Sequence, residues 1–274
     1  MNQLSTARRA QIVRALVEGN SIRSVFRMCD VAKGTVLKPL GDIGDACELF
    51  SDAKLRNLPC KRLRLDEIWS FVGMKQANVP REHKLDLGYG DVWTWTAICA
   101  DTKLVSSWYI GNLGTGSAMT FARDLRSRLA ERVQVTTDGH NAYLFAIAAA
   151  FEERSIDYAQ IHKQYGPTYD AGRYSRPACI GVKVKNVLGT PDPARVSTSP
   201  AERMNLTTRM SVRRFTRLTN RFSKRLGGHM AALEPHFCWY NFCRIHKTLR
   251  VTPAMAVGVA DRVMDAEDLV ALLD

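Results

Sequence analysis

The sequence predicts an α/β protein in which a sheet with flanking helices follows a small all-α helix-turn-helix domain. Three observations predict it. Residues 6–50 carry a helical apolar period broken by turn signals, the period changes to two from Arg62 onward, and the chain then alternates helix, strand and helix. With 274 residues there is room for one sizeable core and a smaller second unit.

Composition narrows the class. Hydrophobic residues at 46% and charged residues at 24% are ordinary for a globular protein and suggest neither a disordered chain nor a membrane protein. No apolar run approaches the roughly 18 residues of a membrane span, and the segment MNQLSTARRAQIV lacks the apolar core of a signal peptide. A cytoplasmic protein with no membrane partner is expected. The seven cysteines (Cys29, Cys47, Cys60, Cys99, Cys179, Cys238 and Cys243) form no CxxC pair. They therefore read as reduced, mostly buried small hydrophobes rather than disulfides or a zinc finger. Against 27 Asp and Glu stand 39 Lys and Arg, a net charge of +12, which favours a polyanionic partner.

In order along the chain, Ile12, Val13, Leu16 and Val17 form one helical stripe after a Ser5/Thr6 start signal and before Gly19-Asn20. A second short helix follows from about Ser21, then a break near 30–34, then a third helix from about Thr35. Pro39 is awkward inside it and argues for a start at Pro39 itself. Helix, short helix, tight connection and helix is the helix-turn-helix pattern, with simple packing or dimerisation as its other use. Arg23, Arg27 and Lys33 lie where phosphate or base contacts would be made.

From Arg62, RLRLDEIWSFVGMK, DVWTWTAICAD and KLVSSWYIGN read as three consecutive antiparallel strands, with turn signals at 88–91 and 101–102. Met119, Ala122, Leu125 and Leu129 then recur at helical spacing. VQVTTDG is a short strand, HNAYLFAIAAAFEERS a helix and IDYAQIHKQY a fifth strand. Residues 166–200, rich in Gly and Pro, read as an extended loop or a partly formed hairpin. Two helices are expected after it, AERMNLTTRMSVRRFTRLTNRFSKRL and GGHMAALEPHFCWYNFCRIHKTL, separated by Gly227-Gly228. DAEDLVALLD closes the chain as an acidic helix that packs on the body or on a second subunit.

Three acids fall at informative places: Asp66 midway along the first strand, Asp138 at the end of the fourth and Glu202 in the first turn of a helix. If strands one and four are neighbours, the carboxylates converge and the helix brings the third alongside. Such hard oxygen ligands suit Mg²⁺ or Mn²⁺, and a pair of ions about 4 Å apart serves phosphoryl transfer. Each acid has a plainer reading. Asp66 can be an edge charge with Glu67 the true ligand, since alternation places the two on opposite faces and lets only one point into a given site. Asp138-Gly139 can be a turn, and the helix dipole favours Glu202 without any metal.

LDEIWSFVG, TTDGHNAY, AERMNLTTRMSVRRFTRLTNRFSK and YNFCRIHKTLRVTPAMAVG resemble the transposases of the insertion-sequence-one family, over about residues 62–258. The resemblance implies an RNase H-like (retroviral integrase-like) mixed sheet carrying an Asp, Asp, Glu triad. It assigns Asp66, Asp138 and Glu202 as the catalytic residues and the ligands of Mg²⁺ or Mn²⁺, two ions in all. The implied chemistry frees 3′-hydroxyls at the ends of the element and uses them to attack target DNA. Double-stranded DNA is the implied partner, and pairing of two ends requires a homo-oligomer on it. Residues 166–200 would be an insertion in the catalytic domain, 1–50 the end-recognition domain and 259–274 a C-terminal helix. The best-known members begin with a cysteine zinc finger, which this sequence lacks.

The basic charge then has a place. From Arg203 to Arg225 there are eight Lys or Arg and no acid, and on one helix Arg209, Arg213, Arg217 and Arg221 make i, i+4 neighbours of like sign. DNA phosphate along Arg209, Arg213, Arg214, Arg217, Arg221 and Lys224 would remove the repulsion. Asn205 and Arg209 share a face with Glu202 and either orient the site, hold phosphate or are plain helix-surface polarity. Arg244, His246 and Lys247 are expected phosphate contacts near the site, whereas Tyr240 and Phe242 are expected in the core. Two further readings stand beside the transposase: an RNase H-like nuclease without strand transfer, and a DNA-binding regulator or inactive remnant.

Overall fold

A computed structural model describes residues 4–84, 86–166, 178–216 and 219–274. The N-terminal segment forms three helices, α1 (Thr6–Val17), α2 (Ile22–Met28) and α3 (Lys33–Lys54). The Ser5 and Ser21 side chains cap the first two by accepting from the backbone N–H groups of Arg8 and Ser24. A small core of Ile12, Val25, Cys29 and Val36 joins all three.

Pro39 does not start α3, which begins at Lys33 and runs through it for 22 residues. The ring removes one backbone hydrogen bond, but Val36, Leu40, Ile43, Gly44 and Cys47 form a buried stripe that continues across it. Docking of that stripe supplies more than local propensity withholds. Gly44 is the contact point: a Cβ there would lie 2.9 Å from the Ala231 Cα of α7 (Leu226–Cys238), so only glycine lets the two helices approach this closely.

The centre of the molecule is a six-stranded mixed sheet of β1 (Arg62–Val72), β2 (Gly90–Cys99), β3 (Val105–Gly111), β4 (Val133–Asp138), β5 (Ile156–Tyr165) and β6 (Cys179–Leu188), in the order β3-β2-β1-β4-β5-β6. The pairs β1–β2, β2–β3 and β5–β6 are antiparallel, while β1–β4 and β4–β5 are parallel. The parallel crossovers run through α4 (Thr115–Arg128) and α5 (Ala142–Ala150). Alternation along β1 serves both faces. Leu63 and Leu65 enter the core shared with Phe121, Leu125, Tyr143 and Ile147 of α4 and α5. Ile68 enters the opposite core, with Ala201 and Met204 of α6 (Ser199–Ser211) and Leu233 and Phe237 of α7.

Part of the 166–200 segment is thus strand. β6 pairs with β5 at the sheet edge, a short 3₁₀ turn follows at Pro193–Arg195, and α6 starts at Ser199. Residues 167–177, also expected in the loop, lie outside the described residues.

The long basic helix expected from 201 to 226 is not formed. α6 ends at Ser211, a 3₁₀ turn covers Arg213–Phe215, and α7 starts only at Leu226. Val212 and Phe215 are both buried in the α6–α7 core, which the chain reaches through the 3₁₀ turn. The segment SVRRFTRLTN is also poor in strong helix formers and dense in like charge. Gly227 and Gly228, expected between helices, lie in the first turn of α7. The helical run expected up to 249 ends sooner: a π-turn over Trp239–Cys243 finishes α7, and Arg244 is extended. Tyr240 and Phe242 are core residues, as expected.

Beyond lie α8 (Pro253–Val257) and the capping-box helix α9 (Ala266–Ala271), which packs its Ala266, Leu269 and Val270 on the body and lies against α1. All seven cysteines are free thiols, and all but Cys179 are buried. Among the described residues no helix is long and apolar enough to cross a membrane.

Candidate active site

β1 and β4 set the site. Their three ladder pairs, Arg62 with Gln134, Leu63 with Val135 and Arg64 with Thr136, share one offset, and the same offset carried two positions further takes Asp66 to Asp138. The ladder stops at Arg64 and Thr136, so the strands part just before the two carboxylates. A cavity of about 820 Å³ opens there, lined by Asp66, Glu67, Asp138, Lys163, Glu202 and Asn205 among others.

Asp66 is half-buried. Its Oδ1 accepts from the backbone N–H of Glu67 at 2.9 Å, and its Oδ2 accepts from Asn205 Nδ2 at 2.8 Å. Burial raises its pKa to about 7, the neighbouring Asp138 and Glu202 add to the rise, and the Glu67 N–H and Lys163 oppose it. Asp138 Oδ1 accepts from the His140 N–H at 2.9 Å, which fixes the turn out of β4. Gly139 is required in that turn, because a Cβ would sit 2.5 Å from the His162 ring.

Glu202 stands in the first turn of α6. Its Oε1 accepts from Thr198 Oγ1 at 2.8 Å and pairs with Lys163. Asn205, one turn further along α6, therefore touches the first acid of the set, and Arg209 lines the same cavity.

One expectation is overturned here. Glu67 was expected to face away from any site that Asp66 enters, yet carboxylate oxygens of Asp66, Glu67 and Asp138 all lie within 4.8 Å of one another. The Cβ atoms do alternate: Asp66 leaves β1 toward α6, where it meets Asn205, and Glu67 leaves toward α5, where it meets Tyr143. Where the ladder has ended, no neighbouring strand separates the two faces, and both side chains reach the same gap. Burial, with help from Asp138 and Asp66, raises the Glu67 pKa to about 8.

A second residue went unread in the sequence. Arg64 is among the largest fully enclosed side chains of the protein. It donates to Leu63 O and Thr136 Oγ1 at 3.0 Å each and to the Arg195 carbonyl. It thereby ties β1 and β4 to the turn that leads into α6. An arginine alternating with leucines in RLRL gave no sign of this, since Thr136 and Arg195 are 72 and 131 positions away.

The basic residues meet elsewhere. A second cavity, of about 1150 Å³, lies between the N-terminal helices and the segment 211–236. Arg23, Arg27 and Lys33 line one wall. Arg213, Arg214, Arg221 and Lys224 line the other, and among the described residues the lining holds no acid. Arg214 is largely enclosed, and burial lowers its pKa. Arg217 lies outside the described residues. Arg244, His246 and Lys247 line neither cavity; His246 is within electrostatic reach of Arg203 and Arg244, which, after burial and with Lys103, lower its pKa.

No model of a known protein family matches the chain, and no curated protein matches it.

Proposed function

We propose that this chain is a DDE-type DNA transposase that cuts and joins DNA strands with Mg²⁺ or Mn²⁺. The observation that carries the reading is the convergence of Asp66 and Asp138 where β1 and β4 part, with the first turn of α6 bringing Glu202 to the same cavity. Strand order adds support: a β3-β2-β1-β4-β5 core with β2 antiparallel to its neighbours is what an RNase H-like fold requires, β6 being an added edge.

The donor set fits a hard divalent ion. It consists of carboxylate oxygens, a half-buried cluster of like charge whose repulsion a cation would offset. Asp66, Asp138 and Glu202 would hold two such ions, which when bound activate the attacking oxygen and stabilise the leaving one. Asn205 fixes the Asp66 carboxylate by its amide. Arg209, on the cavity wall, holds DNA phosphate. The helix-turn-helix reading of α1–α3 gives the basic cavity its use: duplex phosphates run between Arg23, Arg27 and Lys33 on one side and the residues around Arg213 and Arg221 on the other. In the joining step a DNA 3′-hydroxyl attacks a target phosphorus, and the bond from that phosphorus to the original 3′-oxygen breaks. The protein acts as a homo-oligomer on DNA in the cytoplasm.

Joining of a labelled element-end duplex to plasmid tests the reading, with Asp138→Asn and EDTA as the two controls. Products that require both the metal and Asp138 support it. Tight DNA binding without any cleavage of authentic ends would replace it with the DNA-binding regulator.

A further inference from the structure

Glu67 has no part in an Asp, Asp, Glu triad of Asp66, Asp138 and Glu202, yet the closest group of three carboxylates in the described residues is Asp66, Glu67 and Asp138. Two further observations bear on it. The Glu67 Oε1 is buried with no hydrogen-bond partner. Behind it the Tyr143 hydroxyl, on a side chain with no exposed surface, faces the carboxylates and interacts with Glu67. A buried carboxylate oxygen without a partner among like charges carries a cost that a bound cation would relieve.

The protein's own cations do not supply that group. Lys163 is committed to Glu202 on the outer side of the cavity, and Arg64 points into the backbone of the 193–195 turn. Oxygens about 2.1 Å from a magnesium ion stand up to about 4.2 Å apart. A separation within 4.8 Å therefore needs only a sub-ångström contraction to enclose one.

We infer that Glu67 is a protein ligand of a divalent cation held between Asp66 and Asp138, the inner third carboxylate of the site, while Glu202 closes the site from its outer side. This rests on the reading of the cavity as the metal centre of a phosphoryl-transfer enzyme. It assigns the two glutamates separate duties. Glu67 holds cation in the absence of DNA, and Glu202, paired with Lys163, contributes little until that pair opens. Tyr143 is a positioning residue that holds the Glu67 carboxylate in its rotamer.

The test is Mn²⁺ binding to the full chain without DNA, read by the loss of the free-ion electron paramagnetic resonance signal, with thermal stabilisation by Mn²⁺ as the second readout. Glu67→Gln, of the same shape, is expected to weaken binding at least about tenfold and to abolish most of the Mn²⁺-induced rise in Tm, on the scale of metal-ligand losses. Glu67→Asp restores part of it. Glu202→Gln changes it less than threefold. Wild-type affinity in Glu67→Gln, with Asp138→Asn deficient, would overturn the role of Glu67 and leave the transposase reading in place. Unchanged affinity in both Asp138→Asn and Glu67→Gln would overturn the metal centre itself.

Discussion

The acidic cavity and the basic cavity of this protein are built by opposite means. In the first, Asp66, Glu67 and Asp138 are gathered from two adjacent strands, so the sheet register sets their spacing to within a few ångströms. In the second, cations come from α2, the start of α3, the turn at Arg213–Phe215 and the stretch just before α7, and they spread around a larger space. Convergence suits a small ion, which demands fixed distances. Dispersion suits a long polyanion, whose regular charges are satisfied one contact at a time and with tolerance for position. Like charge is costly in both, but the acids bear it half-buried while most of the basic side chains are exposed.

If that contrast is right, single changes weigh very differently in the two places. On the acidic side, Asn205→Ala removes the amide that fixes Asp66 Oδ2 without removing an acid. A partner behind a metal ligand is worth about 10–100-fold, and strand joining in Mg²⁺ is expected to fall by that factor with duplex affinity intact. An equal fall in duplex affinity, measured by gel shift, would mean that Asn205 serves the DNA instead.

On the basic side the effect is smaller and depends on salt. Replacing both Arg23 and Arg27 by Gln removes two cations from one wall. The slope of log K against log salt is expected to flatten by about 1.8, from about 0.9 per phosphate contact. Duplex binding titrated from 50 to 200 mM salt checks this, and an unchanged slope would place the DNA elsewhere.

The smallest effect is one of stability. His229 supports the wall of the basic cavity from α7, its ring nitrogens bonded to Ser223 Oγ at 2.8 Å and Ser70 Oγ at 3.3 Å. Burial, then Arg214, lowers its pKa from 6.5 to about 3. The unfolded chain thus binds a proton that the folded one refuses. Stability from the neutral ring is present above pH 6.5 and lost as pH falls toward 3. Asp66 and Glu67, raised by burial, act in the opposite direction over the same window, so the share of His229 is read as a difference between proteins: from pH 8 to 4 the wild-type Tm is expected to fall by several degrees relative to that of His229→Gln. A constant difference between the two proteins would show that His229 carries no pH-dependent stability.

The sequence by itself determined five of the six strands of the described sheet and the order of the acids. RLRLDEIWSFV, VWTWTAIC and IDYAQIHKQY carry period-two patterns that tertiary packing only had to accept, and DG after VTT marks the end of β4. The chain order Asp66, Asp138, Glu202 followed from those elements alone. Pairing, helix breaks and convergence did not. Whether VQVTTD lies beside RLRLDEIWSFV depends on crossovers through α4 and α5, which no local pattern states. α6 ends at Ser211 although Val212 and Phe215 continue its apolar stripe at helical spacing, so the break in a basic run read as one helix is not stated by the local pattern. Glu67 was misread because alternation describes a strand with neighbours on both sides, and here the β1–β4 ladder ends before Asp66. The reason is general: periodicity records which face a side chain leaves from, and only the packed sheet records where that face ends.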